Sequence, residues 1–117
     1  MNVNNILITG CTGFVGSYLS DYLSENSENK IFGLCRSLKK ESTFNALGLK
    51  KKDNINLIFS SVNDIFELHR IIIDNDINTV YHLAAETIVG NAARSPVDTY
   101  ITNVFGTVSL LEAVRLV

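Results

Sequence analysis

Residues 3–16 read Val3-Asn4-Asn5-Ile6-Leu7-Ile8-Thr9-Gly10-Cys11-Thr12-Gly13-Phe14-Val15-Gly16. The run from Val3 to Ile8 is short, apolar and rich in β-branched residues, and it stops at Thr9-Gly10, the pattern of a buried parallel strand. Glycines then recur at positions 10, 13 and 16. From Phe14 onward the apolar residues Val15, Leu19, Tyr22 and Leu23 follow helical spacing until the polar run Ser24 to Asn29. The stretch is therefore strand, glycine turn, helix.

Working outward, a second strand is expected over Lys30 to Cys35, a third over Ile55 to Phe59 and a fourth over Thr79 to Leu83. Between the second and third lies a segment from Arg36 to Asn54 with six basic residues against Glu41 and Asp53. It reads as a solvated loop with one short helix around Thr43 to Leu47. Asp64 suits an N-cap, and Glu67 three residues on completes a capping box for a helix from Ile65 to Asn75. Pro96 suits the first turn of a last helix whose apolar stripe is Ile101, Val104, Val108 and Leu111. Strands alternating with helices, without hairpin dipeptides, predict an α/β fold with a doubly wound parallel sheet in the order 3-2-1-4.

The chain has 117 residues, 46% hydrophobic and 19% charged, with a net charge of -2. These values describe one globular unit and exclude disordered and collagen-like classes. No apolar run approaches the ~20 residues of a membrane helix, and Met1 to Asn5 lacks the basic start of a signal peptide, so a cytoplasmic location and no membrane partner are expected. Seven of the ten basic residues precede residue 60, yet the isoelectric point of about 5.6 gives no reason to expect a nucleic-acid partner. Cys11 and Cys35 form no C-x-x-C pair and read as small, reduced interior residues rather than metal ligands.

Where a strand hands over to a helix, G-x-x-G-x-x-G has a physical logic. One glycine makes a tight turn, one lets backbone approach a pyrophosphate, and one lets helix pack on strand. The helix N-terminus adds free N–H groups and the positive end of a dipole. Gly16-Ser17 lacks the lysine of a P-loop, so a dinucleotide is the expected ligand and the fold is Rossmann-like. At the end of the second strand an acidic residue would bind the ribose hydroxyls of NAD, whereas this chain has Arg36-Ser37 with Lys39 and Lys40 behind. A guanidinium there favours a 2'-phosphate, hence NADP, with NAD the alternative. His82 titrates near neutrality, but its place at the end of a buried strand points to a hydrogen-bonded structural role. His69 beside Arg70 reads as surface.

Thr9-Gly10-Cys11-Thr12-Gly13-Phe14-Val15-Gly16 resembles the TGxxGFxG of the extended short-chain dehydrogenases/reductases, the NAD(P)-dependent nucleotide-sugar epimerases and dehydratases. His82-Leu83-Ala84-Ala85-Glu86-Thr87 resembles that family's HLAA-x-[ST], and Pro96, Asn103-Val104-Phe105-Gly106-Thr107 and Leu110-Leu111-Glu112-Ala113 resemble its P...N-x-x-GT...LLEA helix. Arg36-Ser37 and Gly16-Ser17-Tyr18-Leu19 lean toward the 4,6-dehydratases of GDP-mannose and CDP-glucose.

The resemblance implies that Gly10, Gly13, Phe14, Val15 and Gly16 surround the pyrophosphate, that Thr9 and Thr12 beside them bind the cofactor, and that Arg36 and Ser37 meet the adenosine ribose. Ser61 and Val62 would flank the adenine, although the family usually has aspartate where this chain has Ser61. Leu83, Ala84 and Ala85 would run along the nicotinamide ribose with Thr102 nearby, and Thr87 would sit at the mouth of the sugar site or serve as a loop hydroxyl. Glu86 would contact cofactor or substrate, or act as acid or base. Tyr100, Val104, Val108 and Leu111 resemble the helix of a two-fold interface, which implies a homodimer.

The family's enzymes use a tyrosine with a lysine four residues on, which lowers the tyrosine pKa so that it can act as a base. The residues four after Tyr18, Tyr22, Tyr81 and Tyr100 are Tyr22, Asn26, Ala85 and Val104, and no lysine follows Lys52. No catalytic residue is therefore assigned. The expectation is an N-terminal dinucleotide-binding domain over residues 1–117, inactive by itself, with an incomplete sheet and an exposed edge or apolar patch. In the full-length enzyme it would serve a nucleotide-sugar substrate by transient oxidation at sugar C4. A different class of reading is a non-catalytic module that senses NADP(H) or docks on a partner through its last helix.

Overall fold

The computed structural model describes residues 3–84 and 94–117. Four strands, β1 (Asn4–Thr9), β2 (Asn29–Cys35), β3 (Ile55–Phe59) and β4 (Thr79–His82), form one parallel sheet in the order β3-β2-β1-β4. That is the expected topology, and the strand bounds lie within one residue of those read from the sequence. Ile6 stands opposite Ile31 on one side and Thr79 on the other, and Ile6 to Ile8 of β1 and Ile31, Leu34 and Cys35 of β2 are buried, while the polar residues Asn4, Asn5, Asn29 and Lys30 start the two strands.

Strand alternation sends neighbouring residues to opposite layers. On one face Ile6, Ile8, Ile31, Cys35 and Ile55 meet Leu19 and Leu23 of α1 (Phe14–Ser24). On the other, Leu7 and Leu34 meet Leu68, Ile71 and Ile72 of α3 (Ile65–Asp74) and Leu110 and Ala113 of α5 (Gly106–Arg115). Pro96 occupies the first turn of α4 (Pro96–Tyr100), and a π-helical turn (Ile101–Phe105) joins α4 to α5. Asp64 caps α3 by accepting the Glu67 N–H at 3.1 Å. The return half of the capping box does not form, because the Glu67 carboxylate takes the Arg70 guanidinium at 2.6 Å instead.

Three expectations are corrected. The α1 stripe does not face the sheet as read: Val15 and Tyr22 are exposed, and the buried face is Gly16, Ser17, Ser20 and Ser24. Each of those serine hydroxyls is satisfied by a backbone carbonyl, Ser17 by Cys11 at 3.0 Å, Ser20 by Gly16 at 2.7 Å and Ser24 by Asp21 at 2.7 Å. The last-helix stripe also faces outward, with Val108 54% and Leu111 64% exposed, while Gly106, Ser109, Leu110 and Ala113 are buried.

The third correction concerns the basic segment: the short helix expected around Thr43 to Leu47 is present, but the segment around it is not simply solvated. It folds into α2 (Thr43–Ala46) and a 3-10 turn (Leu49–Lys51), and Phe44 and Leu49 are fully buried in the α1-side core. Ser42 caps α2 by accepting the Asn45 N–H at 3.2 Å. The lysines remain outside, and Lys52 reaches Asp21 at 3.7 Å across the surface. Phe44→Ala is accordingly expected to cost about 3–5 kcal/mol in denaturant unfolding, whereas Lys51→Ala should change stability by less than about 0.5 kcal/mol.

Candidate functional site

The site grows from the turn after β1. Gly10 has φ +68, a conformation that favours glycine, and a Cβ there would lie 2.8 Å from Ala84 N and from the Leu83 carbonyl. The backbone after β4 is thus pressed directly on the turn. A Cβ at Gly16 would lie 2.1 Å from Gly10 O, so the first turn of α1 is pressed on it too. Gly13 differs. It caps α1 with φ -74 and ψ 178, and a Cβ there would meet nothing closer than Gly10 O at 3.5 Å, an ordinary contact. Nothing in the described protein requires glycine at 13.

Cys11 is buried beneath the turn, where its thiol donates to Leu34 O at 3.7 Å. Hydrogen bonding to Cys35 and burial hold that thiol well above its usual pKa, so it stays protonated. A Cβ on Gly33 would come within 2.6 Å of Cys11 Sγ, which explains the glycine inside β2.

A cavity of about 1130 Å³ opens beside the turn at the carboxyl ends of the strands. This is where open α/β sheets hold ligands. Its floor and one side are Gly10, Thr12, Gly13, Phe14, Val15 and Gly16; the ends of β2 and β3 supply Arg36, Ser37, Ser61 and Val62; Leu83, Ala84 and Thr102 close the far side. Those thirteen are the predicted cofactor residues less two. Thr9 lies beneath the cavity, fully buried and engaged with backbone, and Ala85 lies outside the described residues, as do Glu86 and Thr87. Ser61 spends its hydroxyl on the Asn63 side chain.

The sequence reading did not assign Glu41, Ser42 and Thr43 to the cavity, nor Arg94, Asp98 and Thr99. The first group is carried there by the Phe44 anchor, which has no periodic signal. Asp98 and Thr99 were recoverable, since they lie four and three residues before Thr102 on one helical stretch, whereas Arg94 precedes the helix cap at Ser95. Arg36, Lys39 and Arg94 against Glu41 and Asp98 give the described lining a small positive excess. Among the described residues no group of three His, Cys, Asp or Glu side chains could hold a metal, and no helix is long and apolar enough to cross a membrane.

His82 has the hydrogen-bonded role expected of it. Its Nδ1 lies 2.7 Å from Thr9 Oγ1 and its Nε2 3.0 Å from Thr107 Oγ1, and burial lowers its pKa from the ordinary histidine value. His69 is half-buried, with Nε2 3.3 Å from Leu116 O.

Sheet order, glycine turn and crevice together define a doubly wound domain of the Rossmann type. Residues 7–117 match the family described as GDP-mannose 4,6 dehydratase. The chain belongs to this family, within the extended short-chain dehydrogenases/reductases. A GDP-mannose 4,6-dehydratase of Sordaria araneosa is 35% identical over 109 residues, which cover 93% of this chain and 20% of that protein. A CDP-glucose 4,6-dehydratase of Salmonella typhimurium is 33% identical over 112 residues, 96% of this chain and 31% of its own length. A dTDP-glucose 4,6-dehydratase of Bacillus anthracis, solved in complex with NAD, superposes with a TM-score of 0.79 at 29% identity, covering 97% of this chain and 34% of that one. In each case the chain spans well under half of the relative.

Gly13 and Gly16 should respond differently to one added methyl group. Gly16→Ala is expected to destabilise the fold by about 1–3 kcal/mol or more, since backbone must shift. Gly13→Ala should stay within about 1 kcal/mol of the parent. Thermal unfolding of the two variants checks the difference.

Proposed function

We propose that the chain is the NADP(H)-binding portion of a nucleotide-sugar 4,6-dehydratase or epimerase. The observation that carries this reading is Gly13, a helix N-cap that opens onto the cavity without a steric partner of its own. A side chain there would fill space the protein does not use, and a pyrophosphate laid against backbone needs that space. The N–H groups of Phe14, Val15 and Gly16 precede the first intrahelical bond of α1, from Ser17 N to Gly13 O, so they are available to an anion. No acidic side chain competes in that turn.

In this reading Arg36 and Ser37 take the 2'-phosphate of the adenosine ribose, with Lys39 on the same wall. Ser61 and Val62 flank the adenine, and Leu83, Ala84, Ala85 and Thr102 line the nicotinamide ribose. Thr87, outside the described residues, is assigned to the sugar by the family resemblance alone. A nicotinamide held in the cavity would supply reversible hydride exchange with sugar C4, coupled in a dehydratase to loss of water across C5–C6 and in an epimerase to return on the opposite face. No tyrosine in these residues has a lysine four positions on, so the proton transfer belongs to residues outside the 117. The outward face of the π-helical turn and α5, with Val104, Val108 and Leu111, is the surface through which two copies would pair.

Titration with NADPH and NADH tests the cofactor assignment. Gly13→Ala should fold and yet bind either nucleotide at least about tenfold more weakly. Arg36→Ala should weaken NADPH by about tenfold or more and leave NADH nearly unchanged, because a charge-assisted bond to phosphate is lost. Undiminished NADPH binding by Arg36→Ala would turn the assignment to NAD. For the pairing surface, Val108→Asp should move the chain to monomer in analytical ultracentrifugation with its thermal midpoint unchanged.

A further inference from the structure

Thr9 ends β1 with its side chain fully buried, and three groups crowd its hydroxyl oxygen. The N–H of Leu83 lies at 3.0 Å, the N–H of Ala84 at 3.1 Å and His82 Nδ1 at 2.7 Å. A hydroxyl offers one proton and two lone pairs. Backbone N–H groups can only donate, so Leu83 and Ala84 take both lone pairs. The single proton is left for His82, and its Nδ1 must be the bare nitrogen. The ring proton then sits on Nε2 and is donated to Thr107 Oγ1 at 3.0 Å, while Thr107 donates its own proton to Asn103 O at 3.0 Å, one turn back in the helix. One neutral tautomer satisfies every member of this chain. The other would point Nδ1–H at an oxygen whose lone pairs are already taken.

The two N–H groups are not equally dependent on Thr9. Leu83 N–H also reaches the Thr9 carbonyl at 3.2 Å, whereas Thr9 Oγ1 is the acceptor for Ala84. Ala84 is also the residue whose nitrogen lies against Gly10, on the wall of the cavity. Thr107, at the other end of the ring, belongs to the helix whose preceding turn places Thr102 on the same cavity.

We infer that His82 is a positioning residue for the cofactor cavity: as the neutral Nε2–H tautomer it takes the Thr9 proton, keeps the Thr9 oxygen turned to Ala84, and ties that wall to the helix bearing Thr102. The inference rests on the dinucleotide reading of the cavity. His82 touches neither cofactor nor substrate in this role and acts through Thr9.

Long-range proton–nitrogen spectra of the 15N-histidine-labelled chain at neutral pH read the tautomer directly. The expected pattern for His82 is an unprotonated Nδ1 and a protonated Nε2; a protonated Nδ1, or fast averaging of the two forms, overturns the inference. Titration of two variants with NADPH, each alongside its thermal midpoint, reads the consequence. In His82→Asn the amide oxygen can stand near the Nδ1 position and accept the Thr9 proton. In His82→Gln the longer side chain reaches toward Thr107 and leaves Thr9 without its acceptor. His82→Asn should bind NADPH within about threefold of the parent and His82→Gln about tenfold more weakly, the scale of one lost hydrogen bond. Equal affinity in both variants, or losses that merely follow the thermal midpoints, overturns the positioning role. If the parent chain shows the expected tautomer but binds neither NADPH nor NADH, the cofactor reading fails and the positioning role with it, while the tautomer assignment stands.

Discussion

Backbone meeting backbone at Gly10 is the contact on which the remainder of the structure depends. Three segments converge there with no side chain between them: the end of β1, the first turn of α1 and the residues that follow β4. The Gly10 carbonyl is enclosed by Gly16 and accepts the Gly13 N–H at 3.2 Å, and the Gly10 N–H in turn reaches Leu34 O on β2 at 3.2 Å. Displacing any one segment by the width of a methyl group would take Ala84 away from the Thr9 hydroxyl and lift α1 from the sheet. The constraint reaches β2 as well, because Cys11 beneath the turn occupies the space that a side chain at Gly33 would need. Close approach at one point therefore dictates residue size at three positions, Gly10, Gly16 and Gly33.

The two helical layers meet that constraint in opposite ways. α3 and α5 cover their face of the sheet with Leu68, Ile71, Ile72 and Leu110, where burial of large apolar surface supplies stability. α1 must lie close to the sheet if its N-terminus is to reach the cavity, and it does so through Gly16, Ser17 and Ser20, whose small side chains bury little apolar surface. Stability on that face comes from elsewhere. Leu19 and Leu23 reach down from the flank of α1, and Phe44 and Leu49 fill the space from the segment that joins β2 to β3. The lysine-rich segment is thus a structural counterpart of the glycine turn, and its anchoring holds Ser42 and Thr43 at the cavity.

This division explains what could be read from the sequence. Strand bounds, sheet order, the glycine turn, the Asp64 cap and Pro96 in a first helical turn are local signals, and each was legible. The inward face of α1 was not, because periodicity scores apolar residues and the face that packs is made of serines satisfied by their own backbone. Phe44 and Leu49 were not, because two apolar residues among lysines show no period. Along the π-helical turn and α5 both Val104-Val108-Leu111 and Gly106-Leu110-Ala113 follow helical spacing, and only the position of α3 decides between them. At the site, thirteen cavity residues were read from motifs. Thr9 was placed one layer too high, since a threonine next to a glycine turn looks like a ligand contact until its three hydrogen-bond partners are counted.

The cavity itself has a backbone half and a side-chain half, and they carry different kinds of information. The backbone half, Gly10 to Gly16 with Leu83 and Ala84, is fixed by contacts that any larger residue at Gly10 or Gly16 would break, so what it presents to the cavity is backbone at the N-terminus of α1. The side-chain half, Arg36, Ser37, Lys39 and Ser61, lies at the exposed ends of strands and contributes little to folding. Residues there can change without disturbing the turn, so the same fold can persist between chains that share only about a third of their residues. A residue such as Arg36 is thus free to specify, because nothing in the core depends on it.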